Sequence, residues 1–211
     1  MKVIAISDTH GQHRQVQLPP GDMLIHAGDV SVRGTESEVM DFLQWFDRQD
    51  FRYKIFIAGN HDFFFEQRSA TEIEALIPDG VTYLNDSGLT TIEGIKVWGS
   101  PITPRFGDWA FNRNRGADID QHWLKIPEDT DILVTHGPPK GILDYTIYGI
   151  KAGCEMLKIR IDEVQPKYCI FGHIHEAAGQ VQKNNIHFIN ASVVNLQYFV
   201  VHLPTVFEIG G

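Results

Sequence analysis

Five apolar runs in this 211-residue chain each stop at a turn built from Gly, Asp, Asn or His. Residues 2–7 run into Asp8-Thr9-His10, 23–26 into Ala27-Gly28-Asp29, and 53–58 into Gly59-Asn60-His61-Asp62. Residues 132–135 lead to His136-Gly137-Pro138-Pro139, and 169–171 to Gly172-His173-Ile174-His175. The runs are short and apolar, several of them rich in Val, Ile or Phe, as strands are. Mixed α/β proteins gather their ligands at strand carboxyl ends. A chain that repeats this punctuation is expected to bring several strand ends to one edge, where their polar residues meet.

The intervening segments set the architecture. Thr35 followed by Glu38 reads as a capping box, and Val39, Phe42, Leu43 and Phe46 supply the apolar face of the helix behind it. Residues 66–77 read as a second helix ended by Pro78 and Gly80, and 154–164 has helical spacing. Residues 90–99 read as a hairpin turning at Glu93-Gly94, and 100–116 as an irregular stretch rich in aromatic and Arg residues. Asn184-Asn185 reads as a hairpin tip between Gly179–Lys183 and Ile186–Asn190, and 198–203 as a final strand. Strands interleaved with helices early and hairpins later predict a mixed α/β fold. No repeat, low-complexity block or linker stands out, so 1–211 reads as a single domain.

Charge and composition narrow the partners. The chain carries 27 Asp and Glu against 18 Lys and Arg, a net charge of -9, which disfavours an extended nucleic-acid groove. A small phosphate ester remains open, because bound metal reverses the local potential. Cys154 and Cys169 form no CxxC pair, which suits a reducing compartment and no thiolate metal site. No apolar run approaches about 18 residues, and the start turns polar at Ser7. No membrane span and a cytoplasmic location are expected.

Each turn taken alone has an ordinary reading. Asp8 and His10 can aim a carboxylate and an imidazole at one cation, yet a DxH triplet is equally a polar turn. Asp29 can put its two oxygens on two ions or simply form an Asx turn. Asn60 offers an amide oxygen while His61 faces a substrate, but Gly-Asn is also a common turn pair. His136 alone reads as a structural histidine, and His173 and His175 repeat the two-residue spacing. Together Asp8, His10, Asp29, Asn60, His136, His173 and His175 occupy equivalent strand ends. Such O and N donors without Cys suit Mn, Fe, Zn or Ni. Of the other histidines, His26 reads as core or as support for Asp29, and His13 as a surface residue. His122, His187 and His202 have no motif around them.

The blocks SDTH at 7–10, GDV at 28–30, GNHD at 59–62, THGPP at 135–139 and GHIH at 172–175 resemble the calcineurin-like metallophosphoesterases. A closer resemblance is to the MPPED branch, related to the class III cyclic-nucleotide phosphodiesterases. It is carried by LIHAGD at 24–29, KIFIAGNHD at 54–62, VWGSP at 97–101, DWAFNRNRG at 108–116 and TDILVTHGPP at 130–139. The resemblance implies an α/β fold, a four-layer αββα sandwich with two central mixed sheets. It also implies one ion held by Asp8, His10, Asp29 and His175, and another by Asp29, Asn60, His136 and His173. His61 matches the family's non-ligand catalytic histidine. Thr135 departs from the common pattern, in which Gly precedes the metal-binding His, and this bears on subclass. His175 stands where the mammalian MPPED-like pattern can carry Gly, which favours a complete two-metal centre.

The chemistry expected of such a set is phosphoric ester hydrolysis by a dinuclear-metal-activated water or hydroxide. Two divalent transition-metal ions are implied, Mn first, with Fe, Zn, Ni and Co as alternatives. His61 would protonate the leaving oxygen or stabilise developing charge. The expected substrates are phosphodiesters, small or cyclic-nucleotide. The rivals are a phosphomonoesterase and a weakly active nucleotide- or metal-binding regulatory protein. Arg105 and Arg113, with Arg115 in the same segment, are candidate phosphate contacts or equally solvated loop charges. Phe106, Trp109 and Phe111 form a nucleobase platform or pack. Monomer and homodimer both stay open. A Walker-type phosphate loop and a GxSxG elbow are absent from the sequence.

Overall fold

Alternation along the strands sets the layers in the computed structural model, which describes residues 1–210. In the first sheet β1 (Lys2–Ile6), β2 (Met23–Ala27), β3 (Tyr53–Ile57) and β4 (Thr82–Tyr83) run parallel. The second contains β5 (Ser87–Thr90) and β6 (Lys96–Ser100), which form the expected hairpin. A separate two-residue pair, β7 (Thr103–Pro104) with β8 (Asn112–Arg113), lies within the stretch read as irregular. The second sheet continues with β9 (Ile132–Thr135), β10 (Tyr168–Phe171), β11 (Gly179–Lys183) and β12 (Ile186–Asn190), in the order β11-β12-β10-β9-β6-β5. Finally β13 (Thr205–Glu208) pairs antiparallel with β1 at the edge of the first sheet.

Val3, Ala5, Ile25, Ile55 and Ile57 of the first sheet share one buried cluster with Val97, Ile132, Val134, Ile170 and Ile189 of the second. The residues alternating with them, Ile4, Leu24, Phe56, Trp98, Leu133 and Phe171, point the other way into helix-covered layers. The sheets therefore pack face to face, and each buried Ile or Phe contributes about 1.5–3 kcal/mol by leaving water. Helix α1 (Glu36–Asp47) covers the first sheet, with Phe42 and Phe46 centred 5.4 Å and 5.9 Å from the Phe56 ring. Its capping box forms as the spacing predicts, Thr35 and Glu38 satisfying each other's backbone N–H.

Several elements differ from expectation. The helix read over 66–77 is two short pieces, α2 (Phe63–Glu66) and α3 (Ala70–Glu74). Ser69 and Glu72 form a second capping box, a start signal within what was read as helix interior. Helix α4 (Ala117–Trp123) was not anticipated; with α5 (Glu155–Val164) it buries Ile119, Trp123, Leu157 and Ile161 in the same cluster as Trp98, Leu133 and Phe171. The strand expected at 198–203 does not form. Asn195 Oδ1 instead accepts from the backbone of Gln197 and Phe199, each at 3.0 Å, and this local turn leaves only an isolated antiparallel bridge between Val194 and Val200.

His13 is buried too, its Nε2 3.1 Å from Asp41 Oδ2 and its ring 4.9 Å from that of Trp45, so the surface reading is overturned. His26 is wholly buried, 2.9 Å from Thr9 Oγ1, where burial pushes its pKa down to about 3. The unfolded chain binds this proton more readily. Its stabilising effect is thus full above the ordinary His value of 6.5 and is lost as pH falls towards 3. The slope is about 1.4 kcal/mol per pH unit. The urea midpoint of metal-free protein should drop between pH 7 and pH 5, and His26→Gln should make that drop smaller. An unchanged drop in the variant would show that His26 does not contribute.

Candidate metal centre

The carboxyl ends of β1, β2 and β3 meet those of β9 and β10 where the two sheets are laced together. Ser7 and Ser192 form a parallel bridge between the sheets, and Val193 N donates to Ser7 O at 3.1 Å. His173 N donates to both oxygens of Asp8, at 3.0 Å and 3.1 Å. The turns that achieve this are tight: Asp8, His10, Asp29 and His173 have φ of 56°, 41°, 56° and 69°. Such left-handed backbone is costly for non-glycine residues and clusters at functional sites. A Cβ at Gly59 would collide with the Asp29 carboxylate, and one at Gly172 with the Asp8 carboxylate and the Ser7 hydroxyl. Only glycine lets these loops close on one another.

The structure brings all seven expected donors into one cluster, buried except for the half-buried His173. Donor atoms of Asp8, His10 and His175 lie within 4.8 Å of one another, as do those of Asp29, His136 and His173. Asp29 Oδ2 stands 3.6 Å from His10 Nε2 and 3.3 Å from His136 Nε2, so one carboxylate faces both groups. Asn60 Oδ1 lies 2.9 Å from His136 Nε2. His61 also approaches His10 and Asp29 closely enough to form a third such group, so proximity alone does not set it apart.

Hydrogen bonding fixes which face each imidazole presents. His10 Nδ1 meets Ser31 O at 3.0 Å, His136 Nδ1 meets Ala27 O at 2.9 Å, and His61 Nδ1 meets Val32 O at 2.7 Å. His175 Nδ1 lies 3.3 Å from Asn195 O. A carbonyl oxygen only accepts, so each Nδ1 carries the hydrogen and each Nε2 turns inward. His10 Nε2 and His175 Nε2 then face each other across 3.3 Å, so that a proton, or a metal cation in its place, separates the two lone pairs. Such an arrangement fits a cation.

The electrostatics agree. Burial alone would raise Asp8 and Asp29, but the imidazole charges of His175 and His136 hold both below the usual carboxylate range. Burial would lower His136, but Asp29 raises it to about 9. Burial prevails at His10 and His173, which fall to about 4 and about 3. In the metal-free protein, protons thus take up part of the neutralising role that cations have in a loaded site.

Sequence reasoning missed Asp62 as a site residue, although it ends the GNHD block. It is fully buried and accepts from Val30 N at 3.1 Å, Ser31 N at 3.0 Å, Ser31 Oγ at 2.6 Å and Gly59 N at 2.8 Å. It thereby clamps the loop carrying Asp29 to the loop carrying Asn60. Burial, with the nearby Asp29 charge, raises it to about 6 against those hydrogen bonds. Tyr198, on a turn at φ 61°, covers His10 with ring centroids 4.3 Å apart; nothing in its sequence context signals this.

The aromatic segment divides. Trp109 lies tilted against His61 with ring centroids 4.4 Å apart, and Phe106 approaches His173 at 5.1 Å, both partly exposed at the rim. Phe111 is buried. Arg105 reaches Asp108 at 3.7 Å on the exposed loop. Arg113 is not brought to the centre: it pairs with Glu66 at 3.6 Å and lines a separate cavity with Tyr83 and His122. Arg115 instead borders the cavity that opens onto His173, its guanidinium bonded to Ala152 O at 2.8 Å and Gly153 O at 2.9 Å.

No helix among the described residues is long and apolar enough to cross a membrane. The calcineurin-like phosphoesterase family profile matches residues 1–177. Metallophosphoesterase domain-containing protein 1 of Homo sapiens is 36% identical over 232 residues, covering 99% of this chain and 71% of that protein. A UPF0046 protein of Caenorhabditis elegans is 39% identical over 222 residues, covering 99% of this chain and 75% of that one. Among solved structures, the phosphopantetheinyl hydrolase of Mycobacterium tuberculosis matches with a TM-score of 0.64 at 17% identity, over 93% of this chain and 90% of that one. At that identity the likeness speaks for the fold alone. The family profile takes in all five polar turns and the relatives extend to nearly the whole length. The chain belongs to the calcineurin-like phosphoesterase family, in the branch of the metallophosphoesterase domain-containing proteins.

Proposed function

We propose that this chain is a metal-dependent phosphodiesterase of small diesters, with nucleotides, cyclic ones included, as candidate substrates. The observation that carries the reading is Asp29, whose Oδ2 stands between His10 Nε2 and His136 Nε2 at 3.6 Å and 3.3 Å. In this reading Asp8, His10, Asp29 and His175 hold one divalent cation, and Asp29, Asn60, His136 and His173 hold the other. The all-O and N donor set suits Mn first, then Fe, Zn, Ni or Co. Held there, two such cations would supply charge neutralisation for the phosphate and a lowered pKa for a water.

The chain's own residues do the rest. Backbone carbonyls lock the histidines with Nε2 inward, so little reorganisation accompanies binding. His61, held by Val32 O with the Trp109 ring tilted against it, turns its Nε2 to the leaving oxygen, and a ring carrying a proton on both nitrogens gives up the Nε2 proton there and keeps the one on Nδ1. Phe106 and Trp109, stacked 6.3 Å apart at the rim, give a planar substituent a surface to lie on. We read 1–211 as one such domain acting in a reducing cytoplasm, in keeping with two buried free cysteines.

The test is an activity matrix starting from metal-free protein. Mn, Fe, Co, Ni and Zn are each added, and bis(p-nitrophenyl) phosphate is compared with p-nitrophenyl phosphate and with 2′,3′- and 3′,5′-cyclic nucleotides. Metal-dependent turnover with higher kcat/KM on the diester is expected. Preference for the monoester would make the protein a phosphomonoesterase. Nucleotide binding without turnover under every metal would make it a binding protein.

A further inference from the structure

We propose that the ester taken by this centre carries an apolar arm, alkyl or aryl, seated in the cavity beside His173. The inference rests on the phosphodiesterase reading and specifies its substrate. A cavity of about 670 Å³ opens directly off the proposed centre, with His173 in its wall and Gly137 and Pro138, which follow His136, beside it. A phosphate on the centre would therefore direct one of its two substituents into this space.

The walls decide what that substituent is. Phe106, Ile147, Tyr148, Ile150 and Leu196 line it, and all five are exposed large apolar residues, Tyr148 at 82%. Exposed apolar residues concentrated around one concavity mark a binding surface. The cavity's charged walls are already engaged. Arg115 is held by Ala152 O, Gly153 O and Glu155, Glu176 Oε1 accepts from Ile147 N at 2.7 Å, and Lys151 Nζ lies 5.2 Å from the Tyr145 ring centroid. These walls suit hydrocarbon better than the hydrogen-bonding edge of a polar group.

The apolar residues are also positioned. Tyr145 bridges Lys151, and Thr146 N donates to Ile150 O at 3.0 Å, which turns Ile147 and Ile150 out on a small hairpin. The Ile147–Glu176 bond fastens that hairpin to the turn beginning at His175. The cavity wall and the centre thus share one loop.

Methyl, butyl and hexyl p-nitrophenyl phosphate have one leaving group and nearly equal intrinsic reactivity. In metal-loaded protein kcat/KM should rise at least about tenfold from methyl to hexyl, as the burial of even two methylenes implies. Ile150→Asp with Leu196→Ser should bring the hexyl-to-methyl ratio towards one, and Ile150→Ala should lower it part-way. In metal-free protein, butyl methyl phosphate should shift the ¹³C-methyl NMR signals of Ile147, Ile150 and Leu196. A flat wild-type series, a ratio unchanged in the variants, or unmoved methyl signals would overturn the apolar arm. Turnover of the methyl ester with a flat series would leave the phosphodiesterase reading standing. No turnover of any ester under any metal would overturn that reading and this one with it.

Discussion

Asp29→Asn is expected to lower kcat/KM for bis(p-nitrophenyl) phosphate by at least about 10³-fold. The reason is the position of one side chain. Asp29 Oδ2 faces His10 and His136 from the middle of the cluster, while Oδ1 accepts from His61 N at 2.8 Å. An amide retains an oxygen for one role but removes the charge, and its NH2 cannot ligate. Both proposed cation positions therefore weaken together, and His61 loses part of its anchor if the amide turns the wrong way. Metal content measured on purified protein should fall alongside activity, with the far-ultraviolet circular dichroism unchanged. Full activity in this variant would remove the basis for the function proposed.

Asp62→Ala should unfold at much lower denaturant, with a loss of about 3–5 kcal/mol. Four donors, Val30 N, Ser31 N, Ser31 Oγ and Gly59 N, converge on this buried carboxylate, and Ala strands them away from water. Asp62→Asn separates hydrogen bonding from charge. It retains one accepting oxygen and relieves repulsion with Asp29, but aims an NH2 at two remaining donors. Its loss should therefore be smaller than that of Ala. Metal affinity should fall about 10–100-fold in Asp62→Ala, since the clamp orients two donor loops without touching the cations. A wild-type denaturation midpoint in Asp62→Ala would refute the clamp. Denaturation of metal-free protein and titration with Mn give the two readouts separately.

Much of this site was legible because its signals are local. An apolar run followed by Gly and a donor marks a strand end whatever the rest of the chain does, and all five such ends converge. The hairpin at Asn184-Asn185 and the capping box at Thr35 were legible for the same reason. What escaped depends on partners distant in sequence. Arg113 sits in the right segment, but Glu66, at the end of α2, draws it to another cavity. His13 has no apolar pattern around it, and Trp45 and Phe42 of α1 bury it. The apparent strand at 198–203 had adequate composition, but Asn195 three residues earlier captured the backbone. Asp62 was visible inside a motif, yet its role depends on Val30 and Ser31 some thirty residues away.

The left-handed backbone at Asp8, His10, Asp29 and His173 has a consequence for which sequences can occupy this centre. A replacement at 8 or 29 faces two independent filters, one from the proposed cation and one from the chirality of its own α-carbon. Asp passes both. Asn passes the backbone filter, being among the residues most tolerant of positive φ, and fails on charge and on its non-ligating NH2. Glu has the charge but lacks the short side chain that eases this conformation, so the usual exchange between the two acidic residues is closed here. Selection on metal chemistry and selection on chain geometry thus act on the same few atoms. The alphabet available at these positions is narrower than either would leave by itself.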